Sequence, residues 1–378
     1  MKRQIVGIAA AGLWAPCVWA QNALAQTPMI EPPVLSPIVS SVGPPIPVIT
    51  QPRSRWLPVP WSELPGVQDD TLFDAWNAWL KSCEKPLPVF AHVCAEVRRM
   101  SIASNEERLA WLKTRLQPYR VQALQGDEAG LLTGYFEPVL LGSRTATAEF
   151  KVPVYRPPAS LGARKPWFSR KEIDTLPEAQ AALAGREIAW LADPVDALVL
   201  HIQGSGRIQL PAPNPQIRLA FAATNDQPYR SVGRWLLDQS EIRDASWPGI
   251  KTWVAQNPAR VQELLWSNPR VVFFREEALN PADLQAGPRG AQGVPLTPGR
   301  SIAVDPGSIP YGTPVWLSSA GEQTNLNRLV IAQDTGSAIV GAVRADYFTG
   351  TGAQAGDLAG RLKQPLSLWV LWPKSTPP

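Results

Sequence analysis

Between Leu131 and Trp372 no apolar run extends far before a Pro, Gly or Asn interrupts it. "LLTGYFEPVLLGS", "KVPVYRPP", "DALVLHIQGSGRIQL" and "IRLAFAATNDQPYRSVG" follow one another in this way. The texture returns in "RVVFFRE", "RSIAVDPGSIPYGTPVWLS", "NRLVIAQDTGSAI" and "PLSLWVLWP". Proline fixes φ and has no amide hydrogen to donate. A chain with 40 prolines in 378 residues therefore has little room for long regular helices. Short apolar runs with tight connections predict a mainly β fold.

Two stretches depart from this pattern. From Asp70 to about Val121 the spacing is helical. "DTLFDAWNAWLKSC" places Leu72, Trp76, Trp79 and Leu80 on one stripe, with Asp70 as the expected helix cap. "PVFAHVCAEVRRM" carries a second stripe, and "SNEERLAWLKTRLQPY" opens with Ser104 followed by Glu107 at capping-box spacing. A further helical interlude is expected over about 231–268. No repeat of solenoid period is visible.

The first residues, "MKRQIVGIAAAGLWAPCVWAQNALAQ", read as a secretory signal over 1–25. Lys2 and Arg3 form its positive end, and the apolar stretch from Ile5 to Ala20 is short for a membrane span. Cleavage is expected at Ala20 or, better, at Ala25. Pro16 and Trp14 fit poorly before Cys17 as a lipid-attachment signal, which points to a soluble periplasmic product of a Gram-negative bacterium, with an outer-membrane lipid anchor as the alternative. Residues 26–55 are Pro-rich and almost uncharged and read as an extended tether, with order beginning near Trp56.

The formal charge is 36 − 32 = +4, or +2 without Lys2 and Arg3, and no basic run occurs. No nucleic-acid partner is expected. Only Cys83 and Cys94 remain after cleavage. In an oxidising compartment they most simply form one disulfide, stapling the first two helices; two buried thiols are the alternative. With the chain's two histidines, His92 and His201, they lack metal-ligand spacing. Neither a metal nor another cofactor is expected.

The chemistry falls to carboxylates. Gln203-Gly204-Ser205-Gly206-Arg207 fails the nucleophile-elbow pattern at both ends, and it contains no phosphate loop. Four acidic residues lie at the ends of expected strands in apolar or Gly-rich surroundings: Glu137, Asp305, Asp334 and Asp346. Singly each reads as turn or structural chemistry, Asp305-Pro306 most of all. Together they mark a region where burial can raise a carboxyl pKa, as acid/base work on glycosidic bonds requires. The 16 tryptophans read mainly as core, although a residue such as Trp190 could instead stack on a sugar ring.

At these residues the sequence acquires a specific resemblance. "LLTGYFEPVL", "PVYRPP", "IQGSGRI", "TNDQPYRSVG", "GVPLTPGRSIAVDPGSIPYGTPVWL" and "AQDTGSAIVGAVRADYFTGTGAQAGDLAGR" resemble, in order, the blocks of the membrane-bound lytic murein transglycosylase A family. The last blocks resemble its three-aspartate module, here Asp305, Asp334 and Asp346. The resemblance implies a mainly β fold with flanking helices, made of two barrels with a groove between them. One is a double-ψ barrel from 56–145 plus 265–378, and the other an inserted family-specific barrel over 146–264. It implies a lytic exotransglycosylase, a carbon–oxygen lyase on polysaccharide. Such an enzyme cleaves the MurNAc–GlcNAc β-1,4 bond of peptidoglycan without water and leaves 1,6-anhydro-MurNAc ends. Asp346 would be the acid/base and Asp334, on the adjoining strand, its support. Tyr135, Glu137, Gln203, Gly204, Ser205, Gly206 and Asp305 would contact the glycan. Tyr135 could equally pack in the core beside Pro138, and Gly204–Arg207 could also be a tight hairpin. Ser337 and Asp226 stand where the family often has Gly; a positive φ tolerates Asp at modest cost. A monomer acting on peptidoglycan strands is expected, with other cell-wall enzymes as further partners. Two other readings remain: a hydrolase pairing Asp346 with Asp334 or Glu137, and a non-catalytic, expansin-like glycan-binding protein.

Overall fold

The structure is a computed structural model that describes residues 46–212, 216–279 and 284–374. The expected signal sequence and most of the expected tether lie outside the described residues. Among those described, no helix is long and apolar enough to cross a membrane. The described chain begins before Trp56: Ile49–Thr50 is already a strand (β1), paired antiparallel with Arg55–Pro58 (β2).

The first sheet holds nine strands. Its remaining members are β3 (Leu116–Gln122), β4 (Gly130–Glu137), β11 (Ser301–Val304), β12 (Pro314–Ala320), β13 (Asn325–Asp334), β14 (Arg344–Thr351) and β15 (Lys363–Pro373). The order is β1-β2-β3-β15-β12-β13-β11-β14-β4, and β15 also pairs with β4. That last pairing closes six strands into a barrel. The long β15 makes closure possible: residues 363–366 bond to β4, while 369–373 run on to β3. Two pairs, β11 with β13 and β14 with β4, are parallel. The period-two pattern of "KQPLSLW" buries Gln364, Leu366 and Leu368 while their neighbours point outward. Ile302, Val304, Val315, Val330, Ala345 and Val370 fill the barrel.

Three helices cover one flank of the barrel: α1 (Leu72–Ser82), α2 (Ala91–Arg99) and α3 (Asn105–Arg115). Trp76 and Trp79 pack there with Trp316, Leu329 and Trp369 of the barrel. The Ser104–Glu107 capping box forms, and Cys83 and Cys94 are disulfide-bonded with their Cα atoms 5.4 Å apart. Asp70, however, does not cap α1. Its carboxylate takes a bidentate bond from Arg300 at 2.7 and 2.8 Å and the Leu329 amide at 2.8 Å. A charge-assisted fork is stronger than a neutral cap bond. The open Leu72 amide of α1 is satisfied by Asn105 Oδ1 instead.

The second sheet has six strands, β10-β9-β8-β5-β7-β6. These are β5 (Val139–Ser143), β6 (Val152–Tyr155), β7 (Glu187–Leu191), β8 (Gly206–Gln209), β9 (Gln216–Thr224) and β10 (Val272–Glu277). They span more of the chain than the expected 146–264, because β5 pairs with β8 and β10 with β9. The helical interlude appears as Val232–Asp238, Trp247–Gln256 and Val261–Ser267. "DALVLHIQ", which reads as strand, is instead a helix, Pro194–Gln203. Asp193 caps it by accepting from the Val195 amide, Pro194 opens it, and Gly204 at φ 77° closes it. Gly204 is therefore a helix terminator leading into β8, and no hairpin forms there. Asp226 adopts φ 56°, the left-handed region expected of it.

Candidate active site

Both aspartates lie on barrel strands, with one strand between them. Ala303 of β11 is in register with Asp334 of β13 on one side and with Asp346 of β14 on the other. They are thus two strands apart, and the expectation of adjoining strands is corrected. Two strand spacings separate the Cα atoms by roughly 10 Å. The small Ala303 lies between them and, like both aspartates, lines a cavity of about 380 Å³.

On its other side Asp346 is in register with Thr133 of β4. The Thr133 hydroxyl donates to Asp346 Oδ1 at 2.5 Å and itself accepts from Arg344 Nη2 at 2.8 Å. The arginine bond orients the hydroxyl so that its proton points at the carboxylate. No described residue donates to Asp346 Oδ2. Both aspartates are partly open to the cavity yet densely surrounded by protein. Desolvation raises the Asp346 pKa, against the lowering bond from Thr133 and the charge of Arg344.

Asp334 differs in having its lone pairs engaged. Oδ1 accepts the Ala291 and Thr335 amides, both at 2.9 Å, and Oδ2 accepts the Tyr135 hydroxyl at 3.0 Å. Burial still outweighs these bonds and pushes its pKa up to about 6, with the charge of Asp346 adding to the rise. Asp334 makes no hydrogen bond to Asp346. Its bonds instead fix Tyr135 and the chain around Ala291. Tyr135 stacks at a tilt on Phe348, ring centres 5.3 Å apart, so it packs in the core and lines the cavity at once.

The other expected contacts divide. Gln203 lines the same cavity, and its Oε1 accepts the Phe136 amide of β4 at 3.0 Å, tying the second sheet's helix to the barrel. Gly204 and Ser205 line a neighbouring cavity that shares Tyr135, Gln203 and Asp334 with the first. Gly206 is buried: a Cβ there would meet Leu200 Cδ1 at 2.5 Å, so its smallness serves packing.

Glu137 is fully buried and is no glycan contact. It accepts Arg218 Nε at 2.6 Å, Arg207 Nε at 2.8 Å and the Thr351 hydroxyl at 2.9 Å. The same arginines donate to the Leu284 and Ala286 carbonyls. Glu137 therefore clamps the two crossings between barrel and second sheet. A buried carboxylate persists when charges and hydrogen bonds compensate it, as two guanidinium groups do here.

Asp305 is likewise turned away from the cavity. It accepts the Gly307 and Gly341 amides at 2.9 Å and Arg53 Nη1 at 3.0 Å. It holds the Asp-Pro turn and pins the loop between Asp334 and Asp346. Trp190 sits in β7 and is not part of either cavity wall. His201 is a core residue, accepting the Val272 amide at 3.0 Å, and burial drives its pKa well down.

Sequence reading overlooked Thr133, Arg344, Tyr229 and Trp247, all in the cavity wall. Period-two alternation from Tyr135 places Thr133 on the same face of β4. No local pattern marks Tyr229 or Trp247, which the second sheet's helical side delivers from about 100 residues away.

Two family models match the chain: the MltA specific insert domain over residues 131–275 and the 3D domain over 300–372. A membrane-bound lytic murein transglycosylase A of Vibrio cholerae is 33% identical over 69% of this chain and 72% of its own length. Among solved structures, the lytic transglycosylase LtgG of Burkholderia pseudomallei is 42% identical, with TM-score 0.60 over 88% of this chain and 98% of its own. MltA of Neisseria gonorrhoeae is 30% identical, with TM-score 0.73 over 89% and 97%. Escherichia coli MltA with bound chitohexaose is 25% identical, with TM-score 0.66 over 88% and 95%. This chain belongs to the membrane-bound lytic murein transglycosylase A family and is a peptidoglycan lytic transglycosylase.

Proposed function

We propose that Asp346 is the single acid/base of the reaction, acting on a glycan strand laid along the groove between the barrel and the second sheet. The observation that carries this is the contrast among the four candidate carboxylates. Asp305 is spent on a turn, Glu137 on two arginines and Asp334 on three donors. Asp346 alone has one oxygen fixed by Thr133 and the other without a donor among the described residues, in a pocket that favours its protonated form. The chitohexaose bound to the Escherichia coli relative supports glycan as the occupant.

In the first step protonated Asp346 gives its proton to the glycosidic oxygen while the C1–O bond of MurNAc breaks. The resulting carboxylate, held by Thr133 and beside Arg344, faces the cationic sugar. The C6 hydroxyl of the same sugar then bonds to C1 and returns its proton to Asp346. The hydroxyl is tethered to the carbon it attacks, so proximity supplies much of the rate and no second carboxylate is needed. Asp334 positions Tyr135 and the loop it starts; Tyr135, Gln203, Gly204 and Ser205 are glycan contacts. The inserted barrel supplies one wall of the groove, and export by the N-terminal signal places the enzyme in the periplasm.

The test is mass analysis of products from purified sacculi. Anhydro ends are expected; products heavier by one water would replace this mechanism with hydrolysis. Asp346→Asn is expected to lower kcat on the order of 10²–10⁴-fold, and full retained activity would remove Asp346 from the role.

A further inference from the structure

The cavity beside the pocket that holds Asp346 is larger, at about 790 Å³, and shares Tyr135, Gln203 and Asp334 with it as a common wall. Its charged lining is one-sided. Lys85, Arg270, Arg275 and Arg289 face it, and among the described residues Asp334 is the only carboxylate in the wall. Arg275 is neutralised by Glu277 at 2.8 Å. For Lys85, Arg270 and Arg289, no described carboxylate lies within ion-pair distance. Asp226 acts on Arg270 only at longer range, and itself lies 3.8 Å from Lys165.

Arg270 is half-buried, and its guanidinium donates to the Gln227 carbonyl at 3.2 Å. Burial lowers its pKa. Holding a partly desolvated cation without a counter-charge is costly. Neutral sugar hydroxyls do not require one. Phe221, 48% exposed, and Pro288 add an apolar wall. A volume of this size accommodates several residues of peptide.

We propose that this cavity is an anion subsite that binds the carboxylates of the peptide stem carried by the muramoyl residue near the cleaved bond. This rests on the peptidoglycan reading above. Arg270 and Arg289 grip stem carboxylates as forked donors, Lys85 adds a point charge at the rim, and Phe221 packs on alanyl methyls.

The test measures binding, so it is read independently of how, or whether, the bond is cleaved. Asp346→Asn protein is titrated calorimetrically with a peptidoglycan tetrasaccharide bearing tetrapeptide stems, and with the same saccharide stripped by an amidase. The stem-bearing ligand is expected to bind about tenfold tighter, and the ratio to shrink in high salt. In Lys85→Gln/Arg270→Gln/Arg289→Gln the ratio is expected to fall close to one. Arg289→Gln alone, at an exposed position, is expected to lower the ratio about threefold without threatening the fold. A parent ratio near one, an unchanged ratio in the variants, or parallel loss for both ligands would overturn the proposal. Failure of the transglycosylase mechanism would appear separately, in the mass of products from the wild-type enzyme.

Discussion

Replacing Asp334 with Asn tests whether the site stores destabilisation in a buried carboxylate. In the folded protein the Asp334 pKa is about 6, against 3.8 for an exposed aspartate. The folded state therefore holds this proton more tightly than the unfolded chain does. The stability that follows is complete below about pH 4 and is lost as the pH rises through about 6. A difference of about 2 pH units, at about 1.4 kcal/mol per unit, sets a ceiling of about 3 kcal/mol. The partial opening of Asp334 to the cavity reduces this, so about 1–3 kcal/mol is expected. Asn keeps an oxygen for the Ala291 and Thr335 amides, and its NH₂ can donate to the Tyr135 oxygen, but it carries no charge at any pH. Denaturant unfolding of both proteins from pH 4 to pH 8 gives the measurement. Relative to Asp334→Asn, the wild-type should lose stability progressively between pH 4 and pH 7. The contribution of Asp346 largely cancels in the comparison. A stability difference that does not change with pH, or a wild-type that gains relative stability on raising the pH, would refute the account of burial outweighing the three hydrogen bonds.

The proposed mechanism requires protonated Asp346, whose pKa burial raises, so kcat should fall on the alkaline side. Arg344→Gln removes a cation that lowers the Asp346 pKa and should move that limb to higher pH; a limb moving down would show that Arg344 does not act through Asp346. Glu137→Gln leaves Arg207 and Arg218 buried without a counter-charge, and a loss of about 3–5 kcal/mol is expected in denaturant unfolding; a loss below about 1 kcal/mol would contradict the clamp. Cys83→Ser/Cys94→Ser should lower stability by about 3 kcal/mol through loop entropy in the unfolded chain, with kcat essentially unchanged because the disulfide links helices on the barrel's flank.

Where the chain stated its intentions locally, they were legible. Prolines and glycines between short apolar runs announced a β protein because they act on the residues that carry them. The helices over 72–115, the Ser104 cap and the Cys83–Cys94 pair were readable for the same reason. The helix Pro194–Gln203 was equally marked, by Asp193, Pro194 and Gly204, but its apolar run resembles a buried strand and periodicity cannot separate the two.

What the sequence by itself determined is the set of carboxylates in apolar company and the ordered blocks around them. Only the family resemblance ranked those carboxylates; their local chemistry could not, because their partners are distant in the chain. Thr133 and Asp346 are 213 residues apart, Glu137 and Arg218 are 81, and Tyr135 and Asp334 are 199. Strand register brings each pair together, and register depends on closure of the whole barrel. The tertiary structure alone decided that Glu137 and Asp305 are held in the scaffold while Asp346 keeps an oxygen to which no described residue donates. A carboxylate's role follows from which donors reach it and how much water it keeps, and both are properties of the assembled fold.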